Sequence, residues 1–146
     1  MASTGTMSDY AVHEVLDALL NDGTISIAAT YLGLTTVAVT AGMNASATTE
    51  PSSWSNYARA EVTAGNWTAA TARAKDNATA LDFGTATVGA DEDLVGWFIA
   101  STASGAGDIL FYGTLDGTVT VQNGNPVTVP IGSLKVDIST ALGTPA

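Results

Sequence analysis

The sequence contains no cysteine. No disulfide can hold the fold, no thiol can act as a nucleophile, and no cysteine metal site can form. Histidine is almost as scarce, since His13 is the only one. A Ser–His–Asp triad would have to use it, and no nucleophile elbow accompanies it. Bases are few: four Lys and Arg stand against 14 Asp and Glu, a net charge of −10. Phosphate recognition needs a basic stripe, so nucleic acid is not an expected partner. A membrane surface is disfavoured for the same reason. No apolar run approaches the ~20 residues that cross a bilayer. The opening MASTGTMSDY has neither the basic nor the apolar region of a signal peptide. Only 12% of residues are charged while 46% are hydrophobic, against about 25% charged in an ordinary soluble domain. A surface so poor in charge and rich in Thr, Ala, Ser and Gly fits equally a surface that a partner covers in part and a plain β domain with a Thr-rich exterior.

What the chain has in plenty is short apolar strands. The most apolar stretch, Asp93–Leu115, reads as two strands, Leu94–Ser101 and Asp108–Leu115, around a loop Thr102–Gly107. Gly105 and Gly107 suit the reversal. Both arms are apolar on both faces, which places them in the core. Upstream, Ile25–Thr40, Tyr57–Thr63, Trp67–Ala72 and Ala80–Thr85 have strand character. Downstream, Asp116-Gly117 is a turn signal, and Thr118–Gln122, Val127–Ile131 and Ser133–Ser139 alternate in strand fashion. Pro130 points to a strand end or an edge.

One helix is expected, residues 8–21. Val12, Val15, Leu16, Leu19 and Leu20 form an apolar stripe, with Ser8 or Asp9 as N-cap and Gly23 past the C-terminus. The stripe is expected to pack on the sheet, so that Leu16→Asp destabilises by several kcal/mol. The fold class is therefore mainly β: an antiparallel, jelly-roll-like β-sandwich of roughly seven to nine strands with one N-terminal α-helix. The organisation is an N-terminal arm (1–7), one domain (8–139) and a C-terminal tail (140–146).

Chemistry is sparse. Gly105-Ala106-Gly107 lies between strands, whereas a phosphate loop opens a helix. Asp91-Glu92-Asp93 lacks the spacing of a calcium loop and reads as a solvated acidic turn. Asn44, Asn66 and Asn77 each head an N-x-S/T triplet, read as chance in a Thr-rich chain. Trp54, Tyr57 and Trp67 gather around a loop and strand with Arg59, and aromatics with Arg are typical interface anchors. The competing reading is packing over one end of the sandwich.

Several segments in order carry a family resemblance: EVLDALLNDGT, YLGLTT, NYARAEVT, LDFGTATVGADEDLVGWFIASTASGAGDILFYGTLDG and VTVQNGNPVTVPIGSLKVDIS. Across about Ser8 to Ser139 the chain resembles a group of small bacteriophage virion β-sandwich proteins, some tail-fibre-like and some capsid decoration (cement) proteins. The resemblance implies a structural role without a reaction or cofactor. The first expectation is a decoration protein on the outer capsid surface, self-associated as a trimer and clamping neighbouring copies of the major capsid protein. Its interface would be the arm residues Met1, Ala2, Ser3 and Thr4 with Trp54, Tyr57, Arg59 and Trp67. The alternative is a tail-fibre or tail-tip module whose aromatics contact a host-surface glycan. A carbohydrate-active enzyme using Asp91 and Asp93 ranks last. Net charge −10 predicts self-association that strengthens as salt screens repulsion.

Overall fold

A computed structural model describes residues 3–21, 24–25 and 27–138. Met1, Ala2, Gly23 and the 140–146 tail lie outside the described residues. The chain is mainly β with one helix. Its strands are β1 (Ser3–Met7), β2 (Thr30–Thr35), β3 (Ala60–Val62), β4 (Ala74–Asp76), β5 (Leu81–Thr85), β6 (Glu92–Ala100), β7 (Ile109–Val121), β8 (Pro126–Val129) and β9 (Leu134–Asp137). Helix α1 (Asp9–Leu20) follows β1. One sheet has seven strands in the order β3-β2-β6-β7-β1-β9-β4, and β5-β8 form a second sheet.

The large sheet curls. Its two edges, β3 and β4, are tied by the segment after β3: Trp67 bridges to Asn77, and the Thr68 N–H donates to the Asp76 carbonyl at 2.9 Å. Residues paired across antiparallel strands share a face. Leu32, Leu34, Trp97, Ile99, Gly113 and Gly5 thus line one face. Leu81, Val127 and Val129 of the small sheet join them in the main core with Trp54 and Val88. On the other face, Phe98, Ala100 and Ile109 pack with Val39 and Ala45.

The expected core hairpin is β6–β7, with Gly105 in its loop at φ +64°. Two strand-level expectations are corrected. Asp116-Gly117 is no hairpin turn: both of its flanks pair with β6, Leu94 with Val119 and Gly96 with Thr114. The surplus residues are absorbed as a bulge within β7. The arm differs more. Ser3–Met7 is not a free arm but an interior strand, antiparallel to β7 and parallel to β9. β1 alternates small and half-buried residues and lacks the apolar content that marks a strand in sequence. It is admitted because Gly5 and Gly113 leave a slot that the Trp97 indole fills. A Cβ added to Gly5 would overlap that indole and the Tyr112 carbonyl. Phe98 uses Gly33 in the same way on the opposite face.

Helix α1 is present, capped as expected by Ser8, whose Oγ accepts from the Ala11 N–H at 3.1 Å. Its orientation is not the expected one. Ala11 is buried and Val15 and Ala18 are half-buried, while Leu16, Leu19 and Leu20 are 46%, 75% and 77% exposed. The cause is the anchoring of its start. The Ser8 N–H donates to the Leu110 carbonyl at 3.0 Å, the Ser8 hydroxyl donates to the Ile109 carbonyl, and the Asp9 N–H donates to the Ala41 carbonyl at 3.0 Å. These bonds fix the rotation of the helix about its axis, and the small-residue side faces the sheet.

Two outcomes follow for stability. Gly5→Ala should destabilise by about 3 kcal/mol or more, because a packed indole has no room to move; denaturant unfolding measures it. Leu16→Asp should leave the unfolding free energy within about 0.5 kcal/mol of the parent, as for other exposed positions.

Candidate interaction surface

The residues expected as interface anchors divide once placed in the fold. Trp54 is 2% exposed and Arg59 7% exposed, so neither presents itself on the surface of the chain. Trp54 lies 5.2 Å from the Tyr57 ring and 6.2 Å from Phe83, and Tyr57 stacks on Phe83 at 6.1 Å and 7°. Arg59 and Glu50 form a two-pronged ion pair: Nη2 to Oε2 at 2.7 Å and Nε to Oε1 at 3.0 Å. The remaining guanidinium hydrogens go to the β6–β7 loop, to the Thr102 carbonyl at 2.9 Å and the Gly105 carbonyl at 3.1 Å. The guanidinium also sits 5.0 Å above the Phe98 ring. Tyr57 completes the network, donating to Glu50 Oε1 at 2.9 Å and accepting from the Leu34 N–H at 2.8 Å. Aromatic residues and Arg here staple loops to the sheet from inside.

Burial, and then the Glu50 carboxylate, push the Tyr57 phenol well above its ordinary value. Ser3 is buried and its N–H donates to the Ser133 carbonyl at 2.7 Å, while Thr4 lines a shallow depression with Val39 and Tyr112. The Asp91, Glu92 and Asp93 carboxylates turn to separate partners: Gln122, Ser52 and Thr120 respectively. Among the described residues no three metal-ligating side chains converge. His13 is exposed on α1. Asn77 is buried and bonded to Leu134, Thr79 and Pro130, which makes it a structural clamp.

Of the expected aromatics, Tyr57 and Trp67 are half-buried. Trp67 lines an apolar groove of about 430 Å³ at one end of the curled sheet, floored by Ile99, Phe111 and Val136 and walled by Ile138. Arg73 and Lys75 stand exposed at its rim. Ala72 and Arg73, at φ 48° and 67°, are consecutive left-handed residues without a glycine, a strained turn of the kind that persists where the surroundings hold it. Phe111 also borders a smaller cavity of about 180 Å³ beside α1, lined by Met7, Val15, Ile25 and Ile27. Groove and helix are therefore neighbours.

A family model described as podophage GP4 fiber I protein gp80 matches residues 6–137. The chain belongs to that family. No curated protein matches it. The match to the fibre family runs from within β1 to the last residue of β9, so it takes in the Arg59 network, the helix and nearly all of the groove. Membership makes the chain a phage virion structural component.

Sequence reasoning missed the groove because its lining is drawn from β2, β4, β6, β7, β9 and the loop after β3. The one available signal was that two of only four bases, Arg73 and Lys75, lie two residues apart.

The buried phenol sets a pH response. Its raised value means the folded chain keeps a proton that an unfolded tyrosine releases above about pH 10. The stabilisation is fully present below that pH and falls as pH rises, by at most about 1.4 kcal/mol per unit for one proton. Tyr57→Phe should start less stable at neutral pH and lose less on alkaline titration, followed by denaturant midpoints.

Proposed function

We propose that this chain is a non-enzymatic structural domain of a podophage fibre, built into the tail rather than onto the outer capsid surface. The match of residues 6–137 to a fibre family carries the reading. The first expectation, a decoration protein, drew part of its support from an N-terminal arm free to clamp the major capsid protein, and Ser3–Met7 is instead an interior strand. Engagement of a host-surface glycan through stacked aromatics would rest on Trp67, because Trp54 is enclosed and Tyr57 is committed to Glu50 and Leu34. A scaffolding role fits a domain whose polar side chains are spent on holding loops.

Cryo-electron microscopy of intact particles, with antibody labelling of this chain, tests the assignment. Density and label on tail fibres are expected. Label spread over the head lattice would overturn the fibre reading and restore the decoration one.

A further inference from the structure

Helix α1 leaves its larger apolar side chains in water. Leu16, Leu19 and Leu20 project outward, and Ile25 and Ile27 just beyond are 44% and 42% exposed. Large apolar side chains left exposed together on one side of a helix point to an interaction site. Asp9 and Asp17 share that outward side, at seven residues before Leu16 and three before Leu20, and the last helical turn carries no base. The helix thus presents leucines flanked by acids.

The groove next to it is the converse. Its lining is apolar, its volume of about 430 Å³ falls within the range of enclosing sites, and Arg73 and Lys75 stand on its rim. Neither base has an ion pair with a described carboxylate. In a chain with four bases and a net charge of −10, two of them at the lip of the apolar groove complement the acids beside the leucines. A leucine-faced helix in an apolar groove is a recurring recognition mode.

We propose that a second copy of this chain docks here, with the α1 leucines of one copy seated in the Trp67–Phe111–Ile138 groove of the other and Asp9 and Asp17 facing Arg73 and Lys75. The contact stands on the exposed helix face and the groove, whichever part of the particle carries the chain. A sugar fits less well, since the groove floor offers hydrocarbon rather than hydrogen-bond donors.

Sedimentation velocity on the full chain across a concentration series tests it, at moderate salt to screen the net charge. The parent should self-associate. Leu19→Asp/Leu20→Asp, at exposed positions, should weaken association at least tenfold with an unchanged melting temperature. Arg73→Glu should weaken it at the other half of the contact. Mixing the helix variant with the Arg73→Glu/Ile138→Asp groove variant should produce hetero-complexes, because the mixture contains one intact helix and one intact groove. A parent that stays monomeric at its highest soluble concentration would overturn the proposal. So would association that the helix variant leaves unchanged, or a mixture that stays monomeric while both variants are folded.

Discussion

The fold depends on one close approach. The Trp97 indole lies across Gly5 and Gly113, on neighbouring strands of the large sheet, where a Cβ on either glycine would collide with it. Trp97 is 1% exposed, and its Nε1 has no hydrogen-bond partner among the described residues. Shape alone holds it. The slot ties β1 into the sheet between β7 and β9, and β9 in turn carries β4. The half of the sheet beyond β7 is assembled on a strand whose sequence, STGTM, has little apolar content of its own.

A second constraint works on the loops. Arg59 brings a buried charge into the protein, which is tolerable only when paired and fully hydrogen-bonded. Glu50, Thr102 and Gly105 supply those partners. The same cluster that holds the guanidinium therefore holds the 48–58 loop and the β6–β7 loop against the sheet. An Arg among aromatics is equally the composition of an interface hot spot and of an internal staple. Burial distinguishes them, and burial belongs to the assembled fold.

These two constraints together shape the surface. With the N-terminal strand absorbed and the Arg59 cluster enclosed, the exposed apolar side chains include three leucines on one side of α1 and, elsewhere, Val37 and Ile131, and an apolar groove opens beside the helix.

Much of the architecture was legible in local pattern. The β6–β7 hairpin, the Ser8 cap, the alternation of β8 and β9 and the mainly β class all follow from periodicity and turn chemistry acting over a few residues. The sequence by itself also determined the scarcity of bases and the absence of thiols, and with them the chemistry the chain lacks. Only the tertiary structure decided three things: that Ser3–Met7 is an interior strand, that the leucines of α1 face outward, and that Trp54 and Arg59 are enclosed. The physical reason is common to all three. Each depends on partners distant in the chain: the Trp97 slot for β1, the Ile109, Leu110 and Ala41 carbonyls for α1, and Glu50 with Thr102 and Gly105 for Arg59. Local periodicity records which residues are apolar, and long-range hydrogen bonds and close packing select which of those are buried.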